Sequence, residues 1–173
     1  MRLEQVEKKA YKLLDELKFK NAPILVDQIA EKLGIQIVYE PLDGDLSGVL
    51  YRDNNDVIIG VNSYHSTNRQ RFTIAHEIGH FVLHDGNKMH VDREFRLNFR
   101  DIISSLAISR EEIEANTFAA ALLMPEHLIF KAVTSKEDDG IDIENDSKEI
   151  AELADQFKVS QQALLIRLGK LLN

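Results

Sequence analysis

The stretch from Thr67 to His84 limits what this chain can fold into more than any other segment. An ordinary surface helix carries a narrow apolar stripe on a polar body, and this stretch reverses the proportions. Wound at about 100° per residue, Thr73, His76, Glu77, His80 and His84 share one sector roughly 100° wide. Phe72, Ile74, Ala75, Ile78, Phe81, Val82 and Leu83 occupy most of the remaining circumference, with Gly79 among them. Such a helix must be packed on most sides, so the rest of the chain has to supply several apolar faces around it. Burying imidazoles and a carboxylate without partners is costly, and a bound metal is the simplest partner for that strip.

Within the strip, His76-Glu77-Ile78-Gly79-His80 is an HExxH sequence. Residues four apart lie one turn up on the same helix face, so His76 and His80 can offer imidazole nitrogen to one ion. Zinc accepts such nitrogens at about 2.0–2.1 Å. Glu77 would face the open coordination position and could take a proton from water held there. Two histidines leave a catalytic zinc one protein ligand short. One known extension has a third histidine six residues past the second with glycine midway, but those positions hold Gly86 and Leu83. The alternative is an acid on a later helix. Across residues 110–124, Glu112 and Asn116 fall within the stripe of Ala115, Ala119, Leu122 and Leu123, Glu114 and Thr117 fall outside it, and Glu111 lies at its edge. A carboxylate set among small apolar residues suits a ligand that faces another helix. Asn116, one turn on, can orient a ligand histidine. His84, two turns from His76, is read either as a group behind the ligands or on the substrate side, or as a simple buried hydrogen bond.

A chain of 173 residues, 44% hydrophobic and 29% charged, has the size and composition of one folded domain over residues 1–173. Leu3, Val6, Ala10, Leu13, Leu14 and Leu17 recur at helical spacing and predict an amphipathic helix within residues 1–20. Ile24 to Leu33 reads as a short helix closed by Gly34. Ile35 to Tyr39, Leu46 to Tyr51 and Val57 to Val61 are β-rich and separated by turn-like Asp, Asn and Gly clusters, which predicts a small antiparallel three-stranded sheet. Residues 85–100 read as irregular. Helices follow over about 110–123, 126–133, 149–157 and 161–172, with an acidic loop at 135–146. The fold class is α+β. No apolar run is long enough to cross a bilayer; the absence of cysteine, and of a secretion signal in residues 1–20, fits a cytoplasmic address.

Residues 148–173 also have the spacing of a helix-turn-helix, with Ala154, Val159, Leu164 and Leu168 at packing positions. A transcription regulator is therefore the alternative from another class. Its recognition helix would offer one cation, Arg167, before Lys170, and the chain carries a net charge of -8, so direct DNA binding is not expected.

Arg71 to His84, followed by Glu112 to Pro125, resembles the ImmA/IrrE family of metallopeptidases. The resemblance extends to Leu46-Ser47-Gly48, Val61-Asn62, Phe157 to Leu164 and Arg167-Leu168, and so covers most of the chain from about residue 23. It implies a zincin-like helical core holding one zinc per chain on His76, His80 and Glu112, with Glu77 as general base. It further implies a protein substrate of the kind such proteins cut: a helix-turn-helix repressor or antitoxin, often encoded beside the peptidase in a phage, mobile element or stress-response operon. A catalytically quiet protein that only binds its regulator is a further reading, against which the intact Glu77 speaks. A donor for the developing oxyanion usually assists such chemistry; His65, Tyr64, His90 and His127 are candidates by residue type alone.

Overall fold

A computed structural model describes residues 1–43, 45–53, 56–84, 89–93, 110–134 and 147–172. In chain order the elements are α1 (Leu3–Leu17), α2 (Val26–Lys32), β1 (Ile35–Glu40), β2 (Leu46–Arg52), β3 (Val57–Asn62), α3 (Thr67–Leu83), β4 (Met89–Arg93), α4 (Arg110–Leu123), α5 (Glu126–Thr134), α6 (Ser147–Phe157) and α7 (Gln161–Leu171). The acidic 135–146 segment lies outside the described residues.

The helices begin and end where local chemistry dictates. Ser66 caps α3, its hydroxyl accepting from the Arg69 N–H, and Ser160 caps α7 by accepting from Ala163. The α1 helix buries Val6, Ala10, Leu13 and Leu14, one stripe at helical spacing, and packs along α4. The α3 helix is buried without interruption from Thr73 to His80, lying across β2 and β3 on one side and α4 on the other.

Gly79 permits the α3–α4 approach. A Cβ there would sit 3.2 Å from the Cα and carbonyl oxygen of Ala115 and 3.3 Å from Cβ of Phe118. The small residues at this crossing bring the two backbones close enough for short side chains to meet across it.

The sheet corrects the sequence expectation. It has four strands in the order β1-β3-β2-β4, with β1 parallel to β3 and both β3 and β4 antiparallel to β2. After β1 the chain passes beyond the place β3 will take, lays down β2, and returns with β3 between them. Alternating apolar residues fix which face of a strand is buried; they do not fix its neighbour or direction. The fourth strand lies inside the span read as irregular. Its apolar side chains, Met89 and Val91, are exposed on an edge strand, so no buried alternation marks it in the sequence. The register pairs Val91 with Val49, His90 with Leu50 and Met89 with Tyr51. Paired residues share a face, so His90 joins fully buried Leu50 on the side covered by α3.

The hairpin of α6 and α7 turns at Lys158, which has a left-handed backbone. Arg167, the cation a DNA-reading helix would need, is 2% exposed. Its guanidinium donates to the Met124 carbonyl at 3.2 Å, to Glu7 at 2.7 Å and to the Tyr11 hydroxyl at 2.6 Å. Lys170 also pairs with Glu7, at 2.7 Å. Arg167 and Lys170 thus clamp α7 to α1.

Candidate metal centre

Helical spacing on α3 places His76 and His80 on one face, each 2% exposed, with their Nε2 atoms 3.1 Å apart. From α4, Glu112 brings Oε2 to 3.3 Å from His76 Nε2 and Oε1 to 3.3 Å from His80 Nε2. Among the described residues these three form a group able to hold a metal ion, each offering one ligand atom within 4.8 Å of the others. Ligands at about 2.05 Å on a tetrahedral zinc stand roughly 3.3 Å from one another, so the triangle has the size such an ion requires. Asn116 Oδ1 lies 3.1 Å from His76 Nδ1. With Nδ1–H donating to that amide oxygen, the Nε2 lone pair points into the cluster.

Glu77 is completely buried. Its Oε1 has no hydrogen-bond partner among the described residues, although an unpaired buried carboxylate oxygen is expensive. The β2 strand can approach α3 this closely because it has no side chain at Gly48. A Cβ on Gly48 would fall 2.4 Å from Cγ2 of Thr73 and 3.5 Å from Oε1 of Glu77. A buried carboxylate oxygen left without a partner in this cluster is what a site for a polarised water needs.

His90 completes the cluster from β4. Its Nε2 is 2.8 Å from Glu112 Oε1, its Nδ1 3.3 Å from Glu77 Oε2, and its ring stacks on His80 with centroids 3.7 Å apart. Of the four donor candidates it alone contacts this cluster among the described residues. Tyr64 is 78% exposed, His127 is exposed at the start of α5, and the buried Nδ1 of His65 has no partner among the described residues. The residue type could be listed from sequence, but its position depended on a strand with no periodic signal.

The electrostatics follow from this crowding. Burial opposes the charged form of Glu112, yet the imidazoles of His76, His80 and His90 beside it outweigh burial and hold the carboxyl well below the usual range. Burial pushes His80 down, with the Glu112 hydrogen bond opposing it. Hydrogen bonds to Glu112 and Glu77 lift His90 to about 10, against the effect of burial. Two carboxylates among buried imidazoles call for positive charge, which a divalent cation on the three-residue group would provide.

The structure also places His84 and Glu114. His84 has its Nε2 3.3 Å from the Glu111 carbonyl and its Nδ1 3.9 Å from Glu114, a solvent-facing hydrogen bond at the end of α3. Glu114, placed outside the apolar stripe by helical winding, is 5% exposed. It pairs with the Met1 amino group and accepts from Arg110 Nε at 3.0 Å. The winding considered one buried face, whereas α4 is covered by α3 on one side and α1 on the other.

A mixed sheet, an HExxH helix laid across it and a glutamate from the next helix together describe a metallopeptidase-type domain. The chain belongs to the IrrE N-terminal-like domain family of peptidases, whose pattern matches residues 30–169. It is 32% identical over 143 residues to the radiation response metalloprotease IrrE of Deinococcus radiodurans, a match covering 78% of this chain and 37% of that protein. It is 26% identical over 102 residues to the uncharacterized immunity region protein 2 of Bacillus phage phi105, covering 59% of this chain and 60% of that protein. The chain therefore spans less than two thirds of each of these curated relatives. A Mycobacterium tuberculosis transcriptional regulator has a similar structure, with a TM-score of 0.58 and 16% identity, covering 95% of this chain and 46% of that one. At that identity the likeness concerns the fold.

Proposed function

We propose that this chain is a zinc-dependent endopeptidase acting on a helix-turn-helix repressor or antitoxin. The observation that carries this reading is the His76–His80–Glu112 triangle with the unpartnered Oε1 of Glu77 beside it. Two imidazoles and a carboxylate form a donor set suited to zinc. When bound, the ion would supply Lewis acidity to the scissile carbonyl and to a water molecule. Glu77 takes a proton from the attacking water and returns it to the leaving amine. Asn116 keeps the His76 ring turned so that Nε2 faces inward. His90, already against both carboxylates, is placed to donate to the oxygen that gains charge as the peptide carbonyl is attacked.

The substrate class rests on the relatives, one named a radiation response metalloprotease and one an immunity region protein of a phage. Among the described residues no helix is long and apolar enough to cross a membrane, and a regulator of transcription would be met in the cytoplasm. The test incubates the metal-loaded chain with the regulator encoded next to it, alongside Glu77→Gln, and measures metal content in both. Bound metal in both proteins with cleavage only by the parent is expected. Equal cleavage by the variant removes Glu77 from its role, and metal-loaded parent that leaves the regulator intact removes this substrate.

A further inference from the structure

A cavity of about 460 Å³ opens between α3, α4 and α7, and His76 and Asn116 form part of its wall. It therefore shares the His76 imidazole, on the side where Asn116 meets Nδ1, with the candidate metal centre. Three helices each turn one face into it. The α3 helix contributes Phe72, α4 contributes Ile113 and Met124 at its end, and α7 contributes Ala163 and Ile166, with Val159 from the turn before it. Ile113 is 44% exposed at this wall, two carbon branches left facing water one residue from Glu112. Cations stand near the apolar surface: Arg69 lines the cavity while donating to Ser47 at 2.8 Å, and Lys170 lines it while pairing with Glu7.

We propose that this cavity is the subsite that selects the polypeptide to be cut, by taking large apolar side chains next to the scissile bond. The inference deepens the peptidase reading and rests on it. The shared His76 wall identifies the occupant: a chain laid across His76, His80 and Glu112 with its carbonyl at the ion has its neighbouring side chain at the His76–Asn116 wall. Side chains two apart in an extended chain project to the same side, and a volume within the usual range for ligand pockets accommodates such a pair. The preferred sequence thus carries Leu, Ile, Met or Phe beside the cleaved bond, and again two residues along. Acidic side chains at these positions would lose hydration on entering an apolar wall.

The test has one arm that needs no activity. Full-length Glu77→Gln, labelled at Ile and Met methyl groups, is titrated with acetyl-Gly-Gly-Leu-Gly-Leu-Gly-amide and with the same peptide carrying Asp in place of both Leu. The Leu peptide should shift the Ile113, Ile166 and Met124 methyls, while the Asp peptide should not. Ala163→Phe, which fills the cavity from α7, should weaken that binding at least tenfold and leave zinc affinity unchanged. In the second arm, a peptide library cut by the parent should show large apolar residues enriched beside the cleavage point, and Ala163→Phe should shift the preference toward small ones. Absence of methyl shifts, equal shifts from the Asp peptide, or self-association that buries the same methyls overturns the subsite. Methyl shifts without cleavage of any peptide leave the subsite standing and count against the peptidase reading instead.

Discussion

Replacing Gly48 with alanine tests the link between the sheet and the candidate base. The new methyl would lie 2.4 Å from Cγ2 of Thr73 and 3.1 Å from the carbonyl oxygen of Gly60, whereas carbon atoms rest at about 3.5–4.0 Å. Relief requires a movement of roughly 1 Å by Thr73, on α3, or by β2 itself. Overpacking of this kind costs about 1–3 kcal/mol, offset by about 0.5–1 kcal/mol from the reduced freedom of alanine in the unfolded chain. A net loss of about 1–2 kcal/mol is expected, lowering Tm by roughly 2–8 °C for a chain of this size. The methyl would also approach Glu77 Oε1, at 3.5 Å, so peptidase activity should fall about tenfold or more at saturating metal. Thr73→Ser removes the clashing methyl, and in combination with Gly48→Ala it should recover about 1 kcal/mol relative to the sum of the single changes. Urea and thermal unfolding of both single variants and the double variant measure this coupling. Additive effects, or a Gly48→Ala protein as stable and active as the parent, would refute the close β2–α3 packing that holds Glu77.

Other consequences are as direct. Glu112→Ala should lower zinc affinity at least a hundredfold in a chelator competition, because the carboxylate closes the donor triangle; undiminished affinity would reassign the third ligand. Asn116→Ala should cost about 10–100-fold in metal affinity or activity, the usual range for a group that orients a ligand histidine, without a comparable change in Tm. Glu7→Gln should destabilise the fold by about 1.5–3 kcal/mol at neutral pH, since the buried Arg167 loses the negative charge it is paired with. Burial opposes the Glu7 charge, but hydrogen bonds from Arg167 and Lys170 prevail and lower its pKa from 4.5. A lowered folded-state value gives stability that is present above pH 4.5 and lost as pH falls through the folded value. Parent and Glu7→Gln unfolding curves should therefore converge in acid, and a constant gap between them would contradict the pairing.

How much of this was legible in the sequence depended on whether a feature was local. His76 and His80 lie on one helix, so spacing alone put them together. Glu112 needed only a second helix and the arithmetic of its face; the close crossing at Gly79 and Ala115 does the rest. Glu114 was misread by the same arithmetic, because a helix packed on two sides hides a residue that one stripe leaves out. The parallel β1–β3 pairing and β4 depend on contacts the local pattern does not encode, so His90 could be named by residue type but not placed at the cluster. Arg167 was counted as the one cation a recognition helix could offer, and its partners Glu7 and Tyr11 lie at the opposite end of the chain. Long-range pairing, more than propensity, separated what could be read from what could not.

X-ray absorption at the zinc edge of the purified, zinc-loaded chain measures the inner coordination sphere itself. One zinc per chain is predicted, with two imidazole nitrogens at about 2.0–2.1 Å and carboxylate or water oxygen completing the shell, and with one imidazole lost in His80→Ala. Substoichiometric zinc, or an all-oxygen shell without imidazole scattering, would contradict the account.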